Sequence, residues 1–239
     1  MAMQVGERTF EERMYDLLDV TEYRRMETGE DREAAYRLRY DAYRREGYVE
    51  DDPEGKTSDF VDEKPNTLTI GVYIAGKLCS SIRVSVLTKE CPFSCSMISN
   101  AETIWPMLMD NQVLIDPSRF VADAAAAREF PELPYLTMRI PSMACEHYMA
   151  DQCLAAVRRE HHAFYRRIFR SKPIADPVRY KLLKFDIQLM STTVQVIRDD
   201  VAKRYPFFQS DYLERRQLFG ASWAMPGIEE GRTSYAKAA

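Results

Sequence analysis

The chain has 239 residues, 46% of them apolar, and a formal net charge of −4. This composition can fill one substantial hydrophobic core, so we expect a single domain over residues 1–219 and a flexible tail over 220–239. The acidic balance argues against nonspecific nucleic-acid binding, and no apolar run reaches the roughly 18 to 20 residues of a membrane span.

The cysteines indicate a reducing compartment. Five are present, an odd number that suggests free thiols, and the amino terminus lacks the basic-then-apolar order of a signal peptide. We therefore expect a cytoplasmic protein. Cys91 and Cys95 are spaced like half of a metal site, but no second pair and no histidine lies near them, so no metal ion is expected.

The amino-terminal part predicts two helices and a strand. A short amphipathic helix covers Phe10–Leu18, and an entry strand follows over 22–26. Thr28 precedes Asp31 by three residues in the pattern of a capping box, so a longer helix is predicted over 31–46.

One arginine of this longer helix lies among aromatic residues. Arg39 follows Tyr36 by three positions and precedes Tyr43 by four, so the three side chains share one side of the helix. The tyrosines are typical of a core face. A charge on such a face needs a partner or a use.

The next segment supplies acids and a further arginine. Residues 44–66 predict an acid-rich loop with Asp59 and Asp62, although two acids at this spacing also suit an ordinary solvated loop. Strands over 67–74 and 78–87 then form a hairpin, with Arg83 inside the second strand. An arginine in mid-strand needs a carboxylate partner, and the chain offers Asp59, Asp62 and Asp116.

The remaining elements complete an α/β pattern. Antiparallel strands followed by alternating helices and strands predict a single mixed, largely antiparallel sheet flanked by helices. His147 is expected to be a packed surface histidine. The predicted elements are an irregular segment over 92–106, strands over 113–121, 153–157 and 180–191, and helices over 140–150 and 160–170, with 153–157 also compatible with a continued helix.

The strand over 113–121 is the most informative stretch of the chain. It places Asp116, Ser118 and Arg119 in an otherwise apolar run. Burying an unpaired ion costs several kcal/mol, so such charges are paired in a salt bridge or used by a functional site. On these residues alone both interpretations stay open.

These residues carry a resemblance when they are taken in order. The chain is similar to the N-acyl amino acid synthases and to their relatives, the acyl-homoserine lactone synthases, which share the GNAT acyltransferase fold. The similarity covers about residues 20–210. Its motifs are Arg39 with Tyr43, Asp59-x-x-Asp62, Arg83, Asp116-x-Ser118-Arg119-Phe120 and the aromatic-rich segment 162–169.

The chain departs from the lactone synthases at two places. They usually carry Glu where Asp116 stands, and they tend to have Trp where this chain has Tyr48 and Val49. Both differences disfavour S-adenosylmethionine as the amine substrate. The resemblance therefore implies an N-acyltransferase that joins a fatty acyl group to the amine of an amino acid and needs no cofactor.

The resemblance also implies roles for the motif residues. Asp116 and Arg119 would be catalytic, with Asp116 the polar group nearest the proton transfer, directly or through water. The substrate-binding set would comprise Arg39, Tyr43, Asp59, Asp62, Arg83 and Ser118. The arginines would bind the substrate carboxylate or hold the acid-rich loop, since guanidinium groups bind carboxylates bidentately. Tyr43 would line an acyl tunnel or belong to the core.

The acyl donor is predicted to be acyl carrier protein. Coenzyme A enzymes of this fold hold the diphosphate on a glycine-rich loop that begins a helix, whereas this chain has no glycine between Arg119 and Ala150. Carrier proteins are acidic, and a local basic cluster would attract one, although it would also suit a solvated helix face. This cluster comprises Arg158, Arg159, Arg166, Arg167, Arg170 and Lys172.

Two other functions stay open. One is lactone synthesis from S-adenosylmethionine, and the other is a noncatalytic binder of acyl chains or acyl carrier protein. A cysteine-based transferase is disfavoured because no cysteine stands next to a histidine in the sequence.

Overall fold

The computed structural model describes residues 8–180, 185–220 and 226–228. The helices are α1 (Phe10–Leu18), α2 (Gly29–Arg45), α3 (Cys95–Met109), α4 (Ala124–Glu129), α5 (Leu133–His147), α6 (His162–Phe169), α7 (Val194–Val196), α8 (Ala202–Arg204) and α9 (Tyr212–Phe219). The strands are β1 (Thr21–Arg25), β2 (Thr67–Ile74), β3 (Lys77–Leu87), β4 (Leu114–Ala122), β5 (Gln152–Val157), β6 (Lys172–Pro173), β7 (Val178–Tyr180) and β8 (Phe185–Thr193).

The strands form one mixed sheet. Its order is β1-β2-β3-β4-β5-β8-β6, and β7 also pairs with β8. The pairs are antiparallel except for β4 and β5, which are parallel. The predicted α/β class with a largely antiparallel sheet is confirmed.

The parallel pair separates soon after it begins. β4 and β5 pair only at Leu114 with Gln152 and at Ile115 with Cys153, although both strands continue for several residues. Beyond these two pairs the backbones of β4 and β5 are no longer paired with each other. The sheet therefore has an opening near its middle.

The two faces of the sheet have different characters. Side chains alternate along β3, so Ile82 and Val84 face the main apolar cluster, to which α5 contributes Leu136 and Ile140. Arg83, between them in sequence, projects to the opposite face, where α2 and the acid-rich loop lie. The charged residues thus collect on the face opposite α5.

The segment 92–106, predicted to be irregular, instead contains most of α3. Ser94 caps this helix by accepting a hydrogen bond from the Met97 backbone N–H, and Leu108 is buried beneath it. Asn100 interrupts the helical backbone with φ −138°, and Pro106 lies inside the second part. Because Asn100 and Pro106 both disfavour a continuous helix, the sequence pattern did not predict α3.

Two further predictions need correction. Helix α5 begins at Leu133 rather than at residue 140, so Pro141 lies inside it and not in its first turn. The strand predicted over 180–191 is divided between β7 and β8, and residues 181–184 between them lie outside the described chain. Most of the predicted tail over 220–239 also lies outside it, and the single domain over 1–219 stays a prediction.

Candidate active site

The acid-rich loop ends in a turn that presents two carboxylates. Oδ2 of Asp62 accepts a hydrogen bond from the Asp59 backbone N–H at 2.8 Å, and Oδ1 of Asp59 accepts one from the Val61 N–H at 3.0 Å. Side chains of this kind stabilise turns by bonding their own backbone. Both acids therefore have a defined position before any arginine is considered.

Arg39 fixes this turn from α2. Its Nη1 lies 2.8 Å from Oδ2 of Asp62 and its Nη2 lies 3.2 Å from Oδ1, a bidentate pair, and Nη1 also donates to the Thr57 carbonyl at 3.3 Å. The arginine is 0% exposed. The partner expected for this charge on an aromatic helix face is thus Asp62.

Arg83 joins the loop to β4 and α3. Its Nη1 donates to Oδ1 of Asp59 at 2.7 Å and to Oδ1 of Asp62 at 2.9 Å. Its Nε donates to Oγ of Ser118 at 3.1 Å, and its Nη2 to Sγ of Cys95 at 2.8 Å. The side chain is 0% exposed, so this fully buried guanidinium organises the site.

Arg119 enters the same cluster from an irregularity in β4. The β3–β4 register shifts between Ser81 and Arg83, and Arg119 adopts a φ of +54°. Such bulges redirect side chains and occur next to active sites. From this position Nε and Nη2 of Arg119 donate to Oδ2 of Asp59 at 3.0 and 2.5 Å.

Two tyrosines surround the Arg119 guanidinium. Its Cζ lies 5.7 Å from the ring centroid of Tyr43 and 5.8 Å from that of Tyr180. Nη2 reaches the Tyr180 hydroxyl at 3.4 Å, and that hydroxyl donates to Sγ of Cys95 at 3.2 Å. Nη1 of Arg119 forms no hydrogen bond within the described part of the chain. Tyr43 therefore packs beside the arginine.

The charges stabilise the ionised acids. Burial alone would raise the pKa of Asp59, but the guanidinium groups of Arg83 and Arg119 outweigh burial and hold that pKa well below its usual range. The pKa of Asp62 is lowered in the same way, against burial, by Arg39 and Arg83. Both acids are carboxylates at neutral pH.

Asp116 lies apart from these ion pairs. It is 0% exposed, and its carboxylate accepts hydrogen bonds from Ser96, at 2.8 Å from the hydroxyl and at 3.1 Å from the backbone N–H. Asp116 therefore forms no salt bridge with Arg119, and it is not the partner of Arg83. Burial raises the pKa of Asp116, although the serines and Arg83 oppose that shift.

A narrow apolar pocket lies beside the opening in the sheet. It is bounded by α5, β5 and α6, and Cys153, where the pairing of β4 with β5 ends, lines it. Other lining residues are Met138, Pro141, Ala155, Tyr165 and Phe169. The lining is apolar enough for an alkyl chain, but the cavity itself has room for only about one water molecule.

The sequence comparisons identify the family. The model of the N-acyl amino acid synthase FeeM matches residues 34–193, a range that contains all three arginines of the cluster and all three acids. The chain belongs to the FeeM family of N-acyl amino acid synthases. It is an N-acyltransferase, and the resemblance drawn from its motifs is confirmed. No curated protein matches the sequence significantly.

Solved structures agree on the fold. FeeM from uncultured soil microbes is 16% identical, with a TM-score of 0.60 over 73% of this chain and 91% of its own. BjaI, a coenzyme A-dependent acyl-homoserine lactone synthase, is 17% identical, with a TM-score of 0.52 over 73% and 81%. A putative N-acetyltransferase from Lactobacillus plantarum is 12% identical, with a TM-score of 0.53 over 73% and 99%. The predicted GNAT-like fold is confirmed.

Within this member of the FeeM family, the basic cluster divides into two parts. Arg158 faces inward: its Cζ lies 5.0 Å from the Tyr48 ring centroid and 5.4 Å from that of Phe185, it bonds the Tyr48 hydroxyl, and it pairs with Glu160. The other members are exposed and form no ion pair with any residue that the structure describes. They are Arg159, Arg166, Arg167, Arg170 and Lys172, termed the basic surface below.

His147 occupies the core rather than the surface. It is 4% exposed and packs against Tyr148 and Phe219. Burial, together with the charge of Arg215, lowers the pKa of His147 to about 4. The expectation of a packed histidine holds, but its surface location was wrong.

Three residues of the site were missed in the sequence. Cys95 and Ser96 begin a helix that was predicted to be irregular, and Tyr180 lies at the end of β7. A serine cap before Cys95 was the one available signal for the first two. In the part of the chain that the structure describes, no group of acids, histidines and cysteines could hold a metal ion, and no helix is long and apolar enough to cross a membrane.

Proposed function

We propose that the protein transfers a fatty acyl group from acyl carrier protein to the amine of an amino acid. The observation that carries this proposal is Nη1 of Arg119, which lies between Tyr43 and Tyr180 and has no hydrogen-bond partner among the described residues. A guanidinium with one free edge in a buried site binds a carboxylate well. An amino acid has that carboxylate next to its amine.

The three arginines then have separate roles. Arg39 and Arg83 are fully buried and donate hydrogen bonds to Asp59, Asp62 and neighbouring groups, so they hold the acid-rich loop in place. Arg119 shares one oxygen of Asp59 and is 9% exposed, so it is the arginine available to the substrate. Ser118 orients Arg83 and acts on the substrate indirectly.

The opening between β4 and β5 is the proposed place of acyl transfer. The amine attacks the thioester carbonyl, and the resulting oxyanion needs hydrogen-bond donors. Backbone N–H groups of β4 beyond Ile115 are no longer paired with β5 and could supply them. Asp116, one residue further along β4, accepts the proton that the nitrogen loses as the amide forms, directly or through water. The acyl chain would lie in the apolar pocket, which has to widen to admit it.

The start of α5 supports a carrier-protein donor. Glu132 occupies the position before this helix, is buried, and accepts a hydrogen bond from Nε of Arg13 at 2.7 Å. Glu132 supplies no side-chain cap that could give way to a diphosphate, and Pro134 removes one of the backbone N–H donors of the first turn. The basic surface offers an acidic carrier protein a complementary docking face.

The decisive experiment supplies alternative donors and acceptors to the purified protein. Carrier protein loaded with fatty acids of several lengths should yield N-acyl amino acids by mass spectrometry, whereas the matching acyl-coenzyme A should react far more slowly. A lactone formed from S-adenosylmethionine would instead establish the lactone synthase. Binding of loaded carrier protein with no product from any amino acid would establish the noncatalytic binder.

A further inference from the structure

A groove lies between the edge strand of the sheet and the last helix, away from the active site. β1 ends the strand order on one side, and α9 packs beside it. The groove has a volume of about 600 Å³, within the roughly 300 to 1,000 Å³ that is typical of small-molecule sites. Its lining offers a ligand both charged and apolar groups. The residues that line it include Tyr23, Arg25, Glu27, Leu213, Arg216 and Leu218.

The groove is separate from the charged cluster of the active site. The Tyr23 hydroxyl donates to the Leu136 carbonyl of α5 at 3.0 Å, so Tyr23 projects to the α5 face of the sheet. Arg25 lies two residues further along β1 and projects to the same face. Arg83 contacts the acid-rich loop on the opposite face, and β2 lies between β1 and β3. A ligand in the groove therefore does not reach the active-site arginines.

Both walls of the groove lie outside the segment that defines the family. The FeeM model matches residues 34–193, whereas β1 ends at Arg25 and α9 begins at Tyr212. The groove is therefore a feature of this chain to which the family match assigns no role.

The guanidinium group of Arg25 has unused hydrogen-bond donors. Its Nη2 pairs with Glu27, whereas its Nε and Nη1 form no hydrogen bond within the described part of the chain. The Arg25 side chain is 14% exposed and that of Glu27 is 59% exposed, so water screens the one ion pair that Arg25 makes. Buried donors without a partner are uncommon in folded proteins. Arg25 can therefore take a further acceptor without losing an existing partner.

Arg216 adds a second positive charge to the groove. It is exposed on α9, and its side chain forms no hydrogen bond or ion pair with any residue that the structure describes. Glu214, two residues earlier, is bound by Arg139 of α5 and does not neutralise it. The charged lining consists of two guanidinium groups and one carboxylate, that of Glu27, which leaves one positive charge. This local field favours an anion, although the whole chain has a net charge of −4.

Part of the lining is apolar. Leu213 is 65% exposed, the highest value among the large hydrophobic side chains that the structure describes. The Tyr23 ring and Leu218 add to this apolar surface. Covering apolar area is favourable by about 25 cal/mol per Å², and guanidinium groups bind carboxylates bidentately. The combination matches a molecule that carries a carboxylate at one end and an apolar chain at the other.

We propose that the groove binds an organic carboxylate that bears an apolar chain. The carboxylate bonds Arg25 and Arg216, and the chain covers Leu213 and the Tyr23 ring. A free fatty acid and an N-acyl amino acid share this chemistry. Binding of a fatty acid does not require that the protein makes an N-acyl amino acid, so the inference stands apart from the proposed function.

Hydrogen exchange of the full chain, measured by mass spectrometry, locates such a ligand. Dodecanoate or N-dodecanoylglycine should slow the exchange of backbone amides in residues 21–25 and 212–219 several-fold. Dodecanol lacks the carboxylate and acetate lacks the chain, so neither should protect these residues. Protection by only one of the two carboxylates identifies the source of the ligand. Protection by neither of them, or equal protection by dodecanol or acetate, would overturn the proposal.

Paired substitutions test the two arginines of the groove. Arg25→Gln with Arg216→Gln should weaken dodecanoate binding there by roughly tenfold or more, the effect of losing hydrogen bonds to a charged group. Arg24→Gln with Arg32→Gln is the matched control, because it alters the net charge equally. Arg24 stacks on Tyr73 at 4.2 Å on the other face of β1, and Arg32 is exposed on α2. Equal weakening in both pairs of substitutions would overturn the assigned site.

A further variant keeps the proposal testable if the loss of Arg25 unfolds the protein. Leu213→Ser alters an exposed side chain, so the free energy of unfolding should stay unchanged. The affinity for dodecanoate, obtained by titrating the protection of residues 212–219, should fall by roughly threefold or more as apolar contact is lost. Unchanged affinity in Leu213→Ser would exclude the apolar chain from the groove and overturn the proposal.

Discussion

One oxygen of Asp59 lies 2.5 Å from Nη2 of Arg119, although the two residues are far apart in the chain. The other oxygen of Asp59 binds Arg83 at 2.7 Å. A single carboxylate in the acid-rich loop thus holds arginines from two adjacent strands. Most of the expected behaviour of the site follows from this bridge.

Removing the charge of Asp59 should destabilise the protein. Asp59→Asn leaves two buried guanidinium groups short of a carboxylate, and breaking such pairs typically costs about 3 kcal/mol or more. Chemical denaturation at neutral pH measures the loss in the free energy of unfolding. Glu33→Gln is the control, because its ion pair with Arg37 is exposed and screened by solvent, so its loss should change the free energy of unfolding far less. Equal losses would mean that the buried cluster contributes little.

Arg119 and Arg39 should respond differently to the same change. Arg119→Lys removes the guanidinium edge offered to the substrate, so KM for the amino acid should rise by roughly tenfold or more, the effect of losing about 1.4 kcal/mol of binding. Arg39→Lys removes a bidentate pair remote from the substrate, so its main effect should be on the free energy of unfolding. Steady-state kinetics measures KM for the amino acid in both variants, and chemical denaturation measures their free energies of unfolding. A larger rise in KM for Arg39→Lys would reverse the assigned roles.

Asp116→Asn should separate activity from stability. Burial raises the pKa of Asp116 above its unfolded value, so the stability that this group contributes is present at low pH and is lost as the pH rises through the folded pKa. An amide of the same shape avoids burying a charge and can still bond Ser96. We expect unchanged or greater stability at neutral pH and a loss of turnover of roughly 100-fold. Full activity in this variant would exclude Asp116 from the proton transfer.

The basic surface should govern the encounter with the carrier protein. Reversing Arg166 and Arg167 to Glu should lower kcat/KM for acyl carrier protein by roughly tenfold or more and weaken its dependence on salt. The same double reversal at Arg32 and Arg37, which are exposed on α2, alters the net charge equally and is the control. Identical effects from both reversals would point to net charge rather than to a docking face.

His147 should make the protein sensitive to mild acid. Its pKa is lowered from 6.5 to about 4 in the folded state, so the unfolded chain binds the proton first as the pH falls. Stability is therefore full above about pH 6.5 and declines toward pH 4, by up to about 3 kcal/mol. His147→Phe should remove this part of the decline, measured as the difference in the free energy of unfolding between pH 7.5 and pH 4.5. If His147→Phe lost as much stability between pH 7.5 and pH 4.5 as the wild type, His147 would not be the cause of the acid sensitivity.

Local patterns explain what the sequence predicted correctly. The capping pair Thr28 and Asp31 marks the start of α2, and alternating apolar residues mark β2 and β3. Arg39 and Arg83 were expected to need carboxylates because charges in those positions are costly without them. Their partners Asp59 and Asp62 were among the acids considered.

The parts that the sequence did not predict depend on distant contacts. Whether Asp116 binds an arginine or Ser96 depends on where α3 begins. The start of α3 was not predicted, because Asn100 interrupts its helical pattern. The reach of Arg119 to Asp59 depends on a backbone irregularity that no residue type announces, since a φ of +54° usually belongs to glycine or asparagine. The hydrogen bond from the Tyr180 hydroxyl to Cys95 joins β7 to the start of α3, a contact that no local pattern predicts.

The sharing of Asp59 between two strands limits how the family member can diverge. A substitution at Asp59 leaves Arg119 without its carboxylate and Arg83 with Asp62 alone, so a tolerated replacement requires compensating changes at more than one position in the same lineage. Residues on the basic surface carry no such mutual dependence and can change one at a time. Donor preference should therefore drift readily through evolution, whereas the arginine and aspartate core should be inherited as a block.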